Sequence, residues 1–172
     1  MTIKKLIIIL ILLFIPAFAQ AAEYEAAFSP YGKSLELVLA PIKTAQKTIL
    51  VAAYSFTSKP ISEALLSAHK RSVKVYVVAD KKANTEQYTA VTFLANKGIP
   101  VRLNEEYAAQ HNKFMVIDGR HVQTGSFNYS SAAANKNAEN VLVLWNAPDL
   151  AGKYTKEWER LWSKGEKVKA SY

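Results

Sequence analysis

The sequence predicts an α/β fold: a mixed, largely parallel β-sheet sandwiched between helices, with a β-hairpin that carries a polar motif. Two observations lead there. Apolar runs of strand length alternate with segments of helical periodicity between about residues 34 and 103, the pattern of βα units around a sheet covered on both faces. Two strand-like runs then follow one another with only Gly119-Arg120 between them, which is hairpin spacing. The chain also contains no cysteine, so disulfides and thiolate metal sites are excluded and stability rests on a packed core.

The first segment is set aside before the fold. Lys4 and Lys5 precede an apolar run over 6–15, followed by Pro16 and a small-residue pattern ending at Ala19-Gln20-Ala21. These are the parts of a secretory signal peptide, and the uncharged run is shorter than the roughly 20 residues that span a bilayer. Cleavage is expected after Ala21, with an uncleaved N-terminal anchor as the alternative. The expected product is an exported, periplasmic or secreted single domain over 22–172, with no stable membrane association once the leader is gone. Losing the two leader lysines lowers the formal charge from +8 to +6, a balance that suits a polyanionic partner and is also compatible with simple solubility.

In the remaining chain, strands are predicted over 48–56, 73–79 and 99–103, and helices over 34–46, 61–71 and 85–97. Thr57 or Ser58 is placed to cap the second helix and Gly98 to end the third. The hairpin strands follow over 113–118 and 121–127, then a strand over 140–145 and a helix over 148–164. Tyr154, Trp158, Leu161 and Trp162 lie on one stripe of that helix, read as core rather than as a base-stacking platform.

Chemistry concentrates in the hairpin. His111, Lys113, Asp118, Gly125, Ser126 and Asn128 stand at fixed intervals. His111 and Lys113 are two apart, as are Ser126 and Asn128, so each pair shares a strand face. Closing the hairpin around Gly119-Arg120 pairs Lys113 with Ser126 and His111 with Asn128, and closing it around Asp118-Gly119 still opposes odd to even positions. Either register gathers the four side chains. Phe114, Val116, Val122 and Phe127 are expected on the opposite face. An imidazole offers a nucleophile or proton carrier near neutral pH, and an ammonium, a hydroxyl and an amide offer charge and hydrogen bonds to phosphate oxygens. No cluster of carboxylates and histidines stands at ligand spacing, so neither a metal nor another cofactor is expected. Asp118 borders the turn, facing away from His111, and is read as structural. His69 and His121 are read as surface residues.

The series His111-x-Lys113-x4-Asp118-x6-Gly125-Ser126-x-Asn128 resembles the signature of the phospholipase D superfamily with every position filled. Ala53 to Thr57, Lys136 to Asn140 and the Trp-rich last helix resemble the short bacterial nucleases of that family. The resemblance implies a phospholipase D-like fold, His111 as nucleophile or acid, Lys113 and Asn128 on phosphate oxygens, and Ser126 in support. It also implies that Glu139 orients the imidazole through a hydrogen bond; from the sequence alone, that glutamate reads as a solvated strand end. Displacement at phosphorus needs a nucleophile and a separate proton donor, and one chain offers one motif histidine. The expectation is therefore a homodimer with the active site shared across its axis. The expected activity is metal-independent cleavage of DNA, and by the same chemistry RNA, through a phosphohistidine. The alternatives are a phospholipase D-type lipid phosphodiesterase and a non-catalytic nucleic-acid or membrane binding module.

Overall fold

Apolar runs become strands and amphipathic stretches become helices in a computed structural model that describes residues 23–85 and 89–170. In chain order they are β1 (Glu23–Ser29), α1 (Ser34–Thr44), β2 (Thr48–Ala53), α2 (Lys59–Lys70), β3 (Lys74–Asp80), α3 (Ala90–Asn96), β4 (Val101–Asn104), β5 (Phe114–Ile117), β6 (His121–Gly125), α4 (Ser131–Asn135), β7 (Glu139–Trp145), α5 (Pro148–Ser163) and β8 (Glu166–Lys167). A 3-10 turn, Lys82–Asn84, follows β3. The leader expected over 1–21 lies outside the described residues. So do residues 86–88, inside the helix expected over 85–97, of which Ala90–Asn96 forms.

The α/β class and the mixed sheet between helices are as expected, but the sheet is less parallel. Its order is β1-β7-β6-β5-β2-β3-β4-β8. Among the described residues β2 pairs parallel with β3, and β3 with β4, while the five other pairings are antiparallel. The reason is connection length. A parallel return needs a crossover of a dozen or more residues, and the stretch between Asn104 and Phe114 holds no helix. β5 therefore comes back antiparallel to β2. The edge strands β1 and β8 were not expected, since neither carries a buried apolar run to signal it.

Local chemistry sets the element ends. The Ser58 hydroxyl caps α2, accepting the Ile61 N–H, with Pro60 in the first turn. Thr89 caps α3 in the same way, and Gly98, at φ 83°, ends it with its N–H on the Ala95 carbonyl. One face of the sheet packs Val51, Val77, Met115, Ile117 and Val143 against α1, α2 and α3. The other packs Ala52, Val78, Phe114, Val116 and Val122 against α5. Trp158 and Leu161 are buried in that second cluster, and the Trp158 indole N–H donates to the Val51 carbonyl at 2.9 Å. The aromatic stripe of α5 is core, as expected.

Candidate active site

The sheet edge at the carboxyl ends of β2 and β3 is also where β5 begins, β6 ends and β7 begins. Tyr54 follows β2 there, His111 and Lys113 precede β5, Ser126 and Asn128 follow β6, and Glu139 opens β7. Strand ends suit this purpose: the ladder holds the backbone rigidly while the side chains beyond it remain available to a ligand.

The hairpin closes one residue away from both expected registers. Arg120 donates its N–H to the Ile117 carbonyl at 3.1 Å, with Asp118 at φ 54° and Gly119 at φ 65°, the positive values a tight hairpin turn demands. Pairing resumes with Ile117 opposite His121 and ends with Phe114 opposite Thr124. Odd positions thus face odd ones, and neither Lys113–Ser126 nor His111–Asn128 is a ladder pair. The motif side chains lie past the end of the ladder, and a glycine redirects the chain there. Gly125 has φ 144°, and a Cβ on it would collide with the Asn140 carbonyl oxygen, so only glycine lets the chain turn this tightly over β7. The same turn shifts the facing of the residues beyond it: Phe127, expected with Phe114, Val116 and Val122, packs instead with Met115 and Ile117 on the α1 side.

His111 is exposed and lies against the Tyr54 ring, with centroids 4.4 Å apart and planes at 54°. Lys113 is only 6% exposed. Its ammonium sits 4.9 Å from the centroid of the same Tyr54 ring and donates to the His111 carbonyl at 2.7 Å. Burial pushes the lysine below its ordinary pKa, opposed by the charge of Glu139. Ser126 donates its hydroxyl to Glu139 Oε2 at 2.5 Å and accepts the Asn140 N–H at 3.0 Å, while Asn137 Nδ2 donates to Glu139 Oε1 at 3.0 Å. Asn128 Oδ1 is shielded from solvent yet has no hydrogen-bond partner.

Among the described residues Glu139 does not make the expected hydrogen bond to His111: its oxygens accept from Ser126, which Gly125 swings over β7, and from Asn137, while the imidazole rests on the Tyr54 ring. Asp118 lies at the far end of the hairpin. Its carboxylate accepts the N–H groups of Gln46, Lys47 and Thr48 at 2.9, 2.7 and 2.9 Å, tying the turn to the start of β2. Desolvation raises this carboxyl, but the three N–H donors and the charge of His121 outweigh it and hold the pKa below the ordinary value. His121, expected at the surface, is partly buried: its Nδ1 accepts the Asn146 N–H at 2.9 Å and its ring packs on Trp145. Desolvation, with the charge of Arg120, lowers its pKa against a smaller opposing effect of Asp118.

Three residues with no motif to mark them complete this edge. Gln110, Asp80 and Asn84 are buried polar side chains. Asp80 Oδ2 accepts the Gln110 N–H at 2.8 Å, and Asn84 Nδ2 donates to the Tyr54 and Asp80 carbonyls at 2.6 and 2.8 Å. The only sequence signal for them is position: an acid at the end of a central parallel strand, and an amide beside the motif histidine.

A family model described as "Cardiolipin synthase, PLD-like domain" matches residues 38–162. The phospholipase D of Rickettsia bellii (strain RML369-C) is 31% identical over 80% of this chain and 68% of its own length. A mitochondrial cardiolipin hydrolase of Chlamydomonas reinhardtii is 32% identical over 78% of this chain, which spans only 60% of that protein. Among solved structures, Nuc from Salmonella typhimurium, a phospholipase D family member, superposes with a TM-score of 0.85 at 38% identity, covering 87% of this chain and 99% of Nuc. NucT from Helicobacter pylori shares the fold, with a TM-score of 0.77 at 21% identity over 86% of this chain and 100% of its own.

Proposed function

The chain belongs to the phospholipase D superfamily and is a phosphodiesterase of that group; on that premise we propose that it is a metal-independent, sequence-tolerant endonuclease acting on DNA and, by the same chemistry, RNA. The carrying observation is that the exposed His111 and the buried Lys113 ammonium both lie against the Tyr54 ring, with the ammonium bonded to the His111 carbonyl. A histidine open to solvent is free to attack, and a desolvated cation next to it acts on phosphate charge far more strongly than a surface lysine would. The nucleic-acid substrate is favoured by the formal charge of +6 that remains once the two leader lysines are subtracted from +8, by the resemblance to short nucleases, and by the match to Nuc over nearly its whole length.

In this reading the His111 imidazole attacks phosphorus, forming a P–N bond as the bond to the leaving oxygen breaks. Lys113 and the Asn128 amide hold the non-bridging oxygens. Glu139, fixed by Ser126 and Asn137, holds negative charge beside the site, where it stabilises imidazolium. The leaving oxygen takes a proton from His111 of the partner subunit in a two-fold dimer. That second histidine then accepts a proton from the water that cleaves the phosphohistidine, releasing a phosphate monoester. The pattern of Lys4, Lys5, the apolar run and Ala21 supports export to the periplasm or medium.

A lipid substrate is the second reading, favoured by relatives named phospholipase D and cardiolipin hydrolase. The test is incubation of the purified protein, in excess EDTA, with plasmid DNA and with vesicles of anionic phospholipid. DNA nicking that persists in chelator supports the proposal. Headgroup release without nicking supports the lipid reading, and loss of both activities restored by magnesium refutes the metal-independent mechanism.

A further inference from the structure

The backbone on both sides of His111 is held by one side chain. Gln110 is 2% exposed. Its Nε2 donates to the carbonyl of Ala53, the last residue of β2, at 3.1 Å, and its Oε1 accepts the Asn112 N–H at 2.7 Å. Its own N–H is held by Asp80 Oδ2 at 2.8 Å. Asp80, 1% exposed at the end of β3, also accepts the Ala83 N–H at 2.7 Å. Asn84, 5% exposed, donates to the Tyr54 carbonyl and accepts the Phe56 N–H at 3.0 Å, which fixes the tyrosine against which the imidazole rests. These bonds run from the ends of two central strands to the residues immediately before and after His111.

We propose that Gln110, seated by Asp80, is the positioning residue for the nucleophilic imidazole. His111 stands outside the ladder, which starts at Phe114, so no strand hydrogen bonds place it. Among the described residues its ring contact is Tyr54 alone. A residue so exposed would sample many orientations unless its main chain were fixed, and attack at phosphorus requires near-contact alignment; a shift of about 1 Å costs about 100-fold in rate. The amide suits this position because one group must donate to a carbonyl and accept from an N–H at once. Burial of all three side chains excludes the water that would otherwise compete for these bonds. The inference rests on the reading of His111 as nucleophile.

The test compares Gln110→Met, which keeps the length and shape but loses both hydrogen bonds, with Gln110→Glu, using steady-state nicking and a small chromogenic phosphodiester. Rates are expressed per folded molecule as measured by circular dichroism. Gln110→Met should lower kcat by about 10- to 100-fold with KM within twofold of wild type. In Gln110→Glu a carboxyl in the protonated form both donates and accepts, so the ratio of its rate to wild type should rise as pH falls. Arg71→Met is the stability control: it frees the Ile42, Lys43 and Ala45 carbonyls at the C-terminal end of α1 and should leave kcat per folded molecule unchanged. If Gln110→Met fails to fold, Gln110→Glu alone decides through its pH ratio. Wild-type kcat in the folded fraction of Gln110→Met, or a flat ratio in Gln110→Glu, overturns the inference. A His111→Ala protein that still turns over overturns the premise instead, so the two failures are separable.

Discussion

Replacing Asp118 should destabilise the protein without touching its chemistry, although this aspartate belongs to the motif. Three backbone N–H groups converge on the carboxylate at 2.7–2.9 Å. A hydrogen bond to a charged group is worth about 1.5–3 kcal/mol when well shielded, but Gln46 and Lys47 are exposed, so water replaces much of their share. A net loss of about 2 kcal/mol is reasonable for Asp118→Ala, and alanine at φ 54° adds about 1 kcal/mol. Asp118→Asn keeps one acceptor oxygen and tolerates that φ, so about 1 kcal/mol is expected. At about 2–4 °C per kcal/mol for a chain of this size, the alanine variant should melt about 6–12 °C lower and the asparagine variant about 2–4 °C lower, at fixed protein concentration. The folded carboxyl titrates below its ordinary value, so its contribution is fully present above the unfolded pKa of about 3.9. It is lost as pH falls through the folded value, so the gap between wild type and Asp118→Ala should narrow on acidification to the part of about 1 kcal/mol set by backbone strain. Denaturant melts over a pH series, with nicking rates per folded molecule, are the assay. An Asp118→Asn protein as stable as wild type but tenfold or more slower would refute the structural assignment.

His111→Ala should abolish turnover, and Lys113→Ala or Asn128→Ala should cost about 100- to 1,000-fold, the usual effect of removing one preorganised donor. His121→Ala should lower stability through loss of the Asn146 and Trp145 contacts yet keep wild-type turnover per folded molecule; an essential His121 would move the site elsewhere. The lowered Lys113 pKa places an alkaline loss of activity below the ordinary lysine range, because the active ammonium form disappears as pH rises through that value. Lys113→Arg should remove this limb from the pH–rate profile, and an unchanged limb would dissociate it from Lys113. Tagged heterodimers of wild-type and His111→Ala chains should be nearly inactive if the site is shared across the axis, whereas half of wild-type activity would mean independent sites.

Local pattern alone determined the α/β class, the hairpin, the Trp-rich core helix and the choice of His111, Lys113, Ser126 and Asn128 as candidate site residues, because each depends on periodicity, turn residues or motif spacing within a short stretch of chain. Glu139 read locally as a solvated strand end and was implied only by the family resemblance. Tertiary structure decided the rest. The sheet is mostly antiparallel because the stretch before β5 holds no crossover helix, and β1 joins its edge by long-range pairing with β7, which no local signal announces. The hairpin register depended on left-handed backbone at both Asp118 and Gly119, and a one-residue difference reversed which positions oppose each other. Gly125 carries Ser126 to Glu139, and Asp80, Asn84 and Gln110 brace the backbone next to His111 and Tyr54; these contacts bridge up to 57 residues. Buried hydrogen bonds of that range are satisfied only when the whole sheet has assembled, so a single sequence names the amide and the acid without showing that they meet.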